Sequence, residues 1–311
     1  MERISTAATY QSALLNILSA QSRQAAAQTQ VSTGKVADDL KGYNVHADTL
    51  TATRSLKARI DGYLDSAKSL GSTLEVQDQA LSQLADTAQQ ARSAVAEALG
   101  TGNAAGLVSA LEGFLGQAID ALNTEYQGRR LFAGGQSDTE PVQNLSLSDL
   151  AAAPSIPALF SNDQLAITRR LDDKLTVKTN FLASDLGGPL FTALQSIEQL
   201  NEGPTGPLSG QLDETQQNAL QGILAQFDTA WNGLNETVAA NGGLQNRVDS
   251  IRVGLEDRQT ALTGVIGDIT GVDMASAISR LDLAQTALQA SAQVFSSLTG
   301  SSLLNVLGNR S

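Results

Sequence analysis

Residues 56–98, LKARIDGYLDSAKSLGSTLEVQDQALSQLADTAQQARSAVAEA, decide the fold through their spacing. Alternate steps of four and three from Leu56 land on Ile60, Tyr63, Ala67, Leu70, Leu74, Gln77, Leu81, Leu84, Ala88, Ala91, Val95 and Ala98. Twelve of these 13 positions are apolar, where a chain that is 41% hydrophobic would place about five. The 30 positions between them hold only seven apolar residues, five of them alanine. A stripe repeating every 3.5 residues keeps one side of a helix turned to a partner, so the run predicts about six heptads of coiled-coil helix. Gln77 is its single polar member.

The pattern extends outward in both directions. GTGNAAG, residues 100–106, breaks the helix, and a shorter one follows with Leu107, Leu111, Phe114, Ala118, Ala121 and Leu122 on its apolar side. A second arm mirrors the first, with Leu220, Leu224, Phe227, Trp231, Leu234 and Val238 at the same spacing. After NGG (Asn241 to Gly243) the stripe resumes as Leu244, Val248, Ile251, Leu255, Leu262, Val265 and Ile269. The last segment continues it through Ala277, Leu281, Ala284, Leu288, Phe295 and Leu298. Residues 4–31 form a weaker amphipathic helix with Ile4, Leu14, Ile17, Leu18, Ala25 and Val31. Neither terminal helix has the apolar surface to stand alone in water, so each needs a partner.

All six prolines lie between residues 141 and 207, which marks an irregular middle between two helical arms. Within it, QLAITRRLDDKLTVKTNF (164–181) alternates apolar and polar residues around Asp172-Asp173, the signature of a β-hairpin. RRLFAGG (129–135) offers a further strand. The fold class is therefore mainly α, with a small β-rich domain inserted in the middle.

Composition narrows the function. Twenty Lys and Arg face 32 Asp and Glu, a net charge of −12, which repels the phosphates of nucleic acid and of anionic membranes. No window resembles a membrane-spanning helix, and the N-terminus lacks the basic and continuously apolar regions of a cleavable signal peptide. Without cysteine, and with His46 as the one histidine, no zinc site is expected and His46 reads as a polar loop residue. Ser32-Thr33-Gly34-Lys35 looks like the end of a phosphate-binding loop. However, Thr29 stands where the first glycine belongs and Val36 where a magnesium-binding hydroxyl belongs. Gly34 instead reads as the stop of the first helix, with Lys35 beside its negative end. The paired acids Asp38-Asp39 and Asp172-Asp173 read as turn residues. No catalytic, metal or cofactor-binding residue is expected, and the chain does not read as an enzyme.

Three stretches carry a family resemblance: RISTAATYQSALLNILSAQSRQAAAQTQVSTGK (3–35), LNTEYQGRRLFAGGQSDTEPV (122–142) and VDMASAISRLDLAQTALQASAQVFSSLTGSSLLNVL (272–307). They are similar to the start, the exit from the helical core and the end of the flagellin family, most of all its hook-associated members at the junction of hook and filament. The resemblance implies that both chain ends pair as an antiparallel coiled-coil assembly region, 1–45 with 272–311. It places a helical bundle at 46–130 with 186–271, and the β-rich domain at 131–185. It further implies a structural subunit of the bacterial flagellum, outside the cell, exported unfolded without a cleavable signal. The implied partners are copies of itself, the neighbouring hook-associated or hook protein, flagellin and an export chaperone; nucleic acid and membrane insertion are not expected. Assembly contacts are expected at Ile4, Leu14, Leu18, Leu281, Leu288, Phe295 and Leu298. A filament flagellin is the alternative within the family. A helical type III secretion tip or translocator protein is opposed by the flagellin-type motifs at both ends, and an enzyme by the lone histidine and absent cysteine.

Overall fold

The computed structural model describes residues 2–308, with side chains from residue 8 to residue 298. Seven helices and four short strands follow in the order α1 (Glu2–Thr33), α2 (Ala47–Thr101), α3 (Leu107–Leu122), β1 (Glu125–Tyr126), β2 (Arg129–Arg130), α4 (Leu147–Ala152), β3 (Thr168–Asp172), β4 (Leu175–Lys178), α5 (Ala183–Glu202), α6 (Glu214–Thr270) and α7 (Met274–Gly308). The chain divides into two compact units. One is residues 60–257; the other joins the two ends, up to residue 59 and from residue 258 onward.

In the first unit the heptad run does what its spacing predicts. Of its 13 positions, all but Leu56 and Tyr63 are buried. From Leu81 onward they pack with Leu111, Leu115 and Leu122 of α3, with Leu186, Leu190, Phe191, Leu194 and Ile197 of α5, and with Leu220, Phe227 and Leu234 of α6. Helices α2 and α6 run antiparallel, since Arg92 pairs with Asp228 while Leu74 meets Asn241. Helix α6 passes unbroken through Asn241-Gly242-Gly243. Asn241 is fully buried there and donates to the Leu74 carbonyl (3.0 Å) and to Asp78 (3.1 Å). Gln245 donates to the same carbonyl at 3.0 Å. The pause in the apolar stripe is thus a polar cross-link between helices and not an interruption of one.

The turn at 100–106 forms where expected. Gly102 and Gly106 take φ of +65° and +80°, and the loop is tied to the start of α6 by Ala104 N–H to Gly210 O (2.7 Å) and Leu212 N–H to Gly102 O (2.8 Å).

The middle is less β-rich and more helical than its prolines suggest. Strands β3 and β4 pair antiparallel with Arg169 opposite Val177, and a register shift lies between Arg170 and Asp172. Leu171 and Val177 are buried against Ala67, Leu70, Leu74 and Val248. The Tyr63 hydroxyl bonds Asp173 at the tip (2.8 Å). RRLFAGG supplies only the two-residue strand β2, paired with β1. Leu131, Phe132 and Ala133 then turn into the core, and Gly134 reverses the chain at φ +68°. A Cβ on Gly134 would lie 2.2 Å from Asp163 Oδ1. That carboxylate accepts from Gly135 N–H (2.7 Å) and Leu165 N–H (3.0 Å), which hold it below the usual carboxylate range. Pro189 sits inside α5 on its exposed side, and the apolar face of α5 offsets the missing backbone hydrogen bond.

In the unit made by the chain ends, α1 and α7 lie antiparallel. The Tyr10 ring meets Phe295 edge-on (centroids 6.1 Å apart) and its hydroxyl donates to the Leu298 carbonyl (2.7 Å). At the other end Gly34, at φ +67°, stops α1 as expected. Val36 N–H to Thr270 O (2.8 Å) and Val272 N–H to Gly34 O (3.0 Å) then fasten Gly34–Val36 to the link between α6 and α7. Asp39 caps the following 3-10 turn by accepting from Gly42 N–H (3.0 Å), which accounts for one of its paired acids. His46 is exposed in that turn.

Candidate assembly surface

The contact between α1 and α7 is itself a heptad seam. On α7 it consists of Ala277, Leu281, Ala284, Leu288, Ser291, Phe295 and Leu298, all buried or half-buried. On α1 it consists of Tyr10, Ala13, Ile17, Ala20, Gln24, Ala27 and Val31. The deepest positions are alanines: Ala20, Ala27, Ala277 and Ala284. Small side chains let two helices approach closely, and on α1 the leucines Leu14, Leu15 and Leu18 fall outside the seam. Asp273 starts α7 by accepting from Ala275 N–H (3.0 Å) and from the Ser276 hydroxyl (3.0 Å), and the Ser276 bonds hold its carboxyl below the usual range.

The seven expected assembly residues are thereby divided. Leu281, Leu288, Phe295 and Leu298 belong to the seam within one chain. Leu14 and Leu18 lie one turn apart on the exposed face of α1, away from the seam that Ile17 joins. Ile4 lies outside the described side chains. Other large apolar residues exposed on the helix pair are Leu15 (60% exposed), Ile278, Leu283 (68%) and Val294, none of them singled out by the sequence reading. The signal that would have found them is the register Ala13-Ala20-Ala27, which claims the seam and leaves Leu14, Leu15 and Leu18 outside it.

The helix pair carries few charges. Between residues 4 and 33 the one charged residue is Arg23, and between 274 and 308 there are Arg280 and Asp282. Solvated surfaces usually carry charge on roughly a quarter to a third of their residues. Two grooves run along the helix pair. One, of about 470 Å³, is lined by Ala20, Arg23, Ala27, Arg280, Leu283 and Ala284. The other, of about 340 Å³, is lined by Ser12, Ala13, Asn16, Ser291 and Val294. Grooves between protruding leucines and valines are holes of the kind that knobs from another helix fill.

Residues 4–137 match the family described as the bacterial flagellin N-terminal helical region, and residues 224–307 match the bacterial flagellin C-terminal helical region. Flagellar hook-associated protein 3 of Escherichia coli K12 is 24% identical over 98% of this chain and 99% of its own length. Among solved structures, a putative flagellar hook-associated protein from Vibrio parahaemolyticus superposes with a TM-score of 0.59 at 17% identity, covering 74% of this chain and 98% of the other. Hook-associated protein-3 from Legionella pneumophila gives 0.57 at 13% identity, with 70% and 98% covered. FlgL from Bacillus cereus gives 0.54 at 16% identity, with 70% and 99% covered. The two matched regions span more than half of the sequence and include both helices of the assembly surface: the chain belongs to the bacterial flagellin family.

Proposed function

We propose that this chain is a structural subunit joining the flagellar hook to the filament. Copies would stand side by side through the exposed face of α1 and α7. The observation that carries this reading is a helix pair almost without charge, with Leu14, Leu15, Leu18, Leu283 and Val294 outside its seam. The resemblance along nearly the whole length of a hook-associated protein supports the place in the flagellum. Copies of the chain, the adjoining hook-associated or hook protein and flagellin are the partners this role requires. A dedicated chaperone would cover the apolar face before export through the flagellar type III route. A heterologous contact between copies builds a ring where its rotation closes and an open helix where it does not.

The experiment is complementation of a strain lacking the gene. That strain is expected to secrete flagellin into the medium without building filaments. Wild-type protein restores filaments; L14D/L18D, folded as judged by circular dichroism, does not. Intact filaments in the deletion strain would refute the junction role. Long filaments growing from the purified protein alone would move the assignment to filament flagellin.

A further inference from the structure

Charge is so sparse on the α1–α7 pair that its placement is informative. Between residues 4 and 33 and between 274 and 308 the chain has two arginines, Arg23 and Arg280, and one carboxylate, Asp282. All three are exposed, and none forms an ion pair among the described residues. Both arginines line the groove of about 470 Å³, where Ala20, Ala27 and Ala284 are the buried floor and Leu283 stands at the wall. Arg23 Nε donates to the Ser19 carbonyl (3.3 Å) and Arg280 Nε to the Ser276 carbonyl (3.2 Å). The terminal nitrogens of both guanidiniums have no partner among the described residues. Asp273, which feels Arg280 from beyond ion-pair distance, is already held by Ser276.

Asp282 faces elsewhere. At about 100° per residue, Arg280, Ala287 and Leu283 lie roughly 40–100° to one side of Ala284, whereas Ile278 and Asp282 lie roughly 120–160° to the other. Ile278 is 47% exposed and sits one turn before Asp282. Away from the groove, α7 therefore presents an apolar side chain next to a carboxylate. The first suits an alanine-floored groove and the second suits two guanidiniums, which recognise carboxylates with paired N–H donors. A two-fold contact of groove on groove would instead crowd four arginines together. Nor can one two-fold contact match the two faces reciprocally, because they lie on opposite sides of α7. The complementarity is heterologous.

We infer that the occupant of this groove is the Ile278–Asp282 face of a second copy of the chain. The inference rests on the side-by-side assembly proposed above and gives it a direction and a level. Asp282 is about 3 Å along the helix axis from Arg280, so adjoining copies meet almost level instead of end on end. The charges act on orientation more than on affinity, since a reversed neighbour brings like charges together.

Two experiments on the full chain test this. In the deletion strain, R23D/R280D and D282R, each exported and folded by circular dichroism, should each lower the number of filaments per cell by about fivefold or more. The fully inverted variant R23D/R280D/D282R should restore at least half of them. Normal filaments with either partial variant, or an inverted variant no better than the partial ones, would overturn the inference. Restoration by the wild type would still leave the junction role standing. The chain has no cysteine, which allows a second reading that also serves if a charge variant misfolds. Mild oxidation of purified flagella carrying A26C/I278C, the first position in the groove and the second on the opposite face, should give a ladder of cross-linked copies. A26C alone should stay monomeric. A dimer from A26C alone would reveal a two-fold contact, and the absence of a ladder from the double variant would mean another occupant; either result overturns the inference.

Discussion

Gln77 and Glu198 are polar residues that the surrounding apolar core tolerates at a cost. Gln77→Leu keeps the volume and removes the unpartnered oxygen, so the variant is expected to be more stable by about 1–2 kcal/mol in chemical denaturation. A loss of stability would mean that the amide is satisfied in the folded chain. Glu198 is 5% exposed on α5. Burial pushes its carboxyl above the usual range, Glu202 and Glu112 add to the rise, and a hydrogen bond from Asn201 opposes it. A raised folded-state value means that the ionised form is the destabilising one. Stability linked to Glu198 therefore grows as pH falls through the folded value and levels off below the unfolded one. Glu198→Gln should melt at a higher temperature than wild type at neutral pH, with the advantage gone below about pH 4, where glutamate is protonated in both states. An advantage that persists in acid would show that packing and not ionisation is responsible.

Helices and strands differ in how much of them the sequence reveals. The 56–98 run was legible because 11 of its 13 stripe positions are buried as the period demands. The hairpin was legible because alternation places Leu171 and Val177 on one face. The expected strand at 129–135 was not, because its course depends on Asp163, a residue 28 positions away that seizes the Gly135 amide. The α1 seam was not singled out, for another reason. Hydrophobicity favours Leu14 and Leu18, whereas close helix approach selects alanine, and the fit between helices won. That fit makes a testable contrast. Ala27→Leu inserts three carbons into the seam, which is expected to cost about 1–3 kcal/mol and to speed amide exchange along α1. Leu14→Ala, on the exposed face, should change stability by less than about 0.5 kcal/mol. Equal effects of the two substitutions would contradict the register.

For the molecule as a whole, two compact units imply two separable losses. Removing residues from 274 onward deletes the partner of α1 but no residue of the 60–257 unit. The shortened protein is expected to keep the cooperative unfolding of that unit while α1 becomes a substrate for limited proteolysis, since an unpaired helix of this composition is marginal in water. Continued protection of α1 would show that something other than the seam holds it. The family was legible from the two ends of the sequence. The assembly surface was legible only in part, because four of the seven residues expected there serve the pairing of the ends first. The contact between Tyr10 and Leu298 spans 288 residues of sequence. A separation of that size makes it among the last contacts to close as the chain folds. On the proposed assembly the surface would therefore act as a certificate of completeness: a chain cut short, or still emerging, has its first helix but nothing to set it against, and would not take a subunit's place.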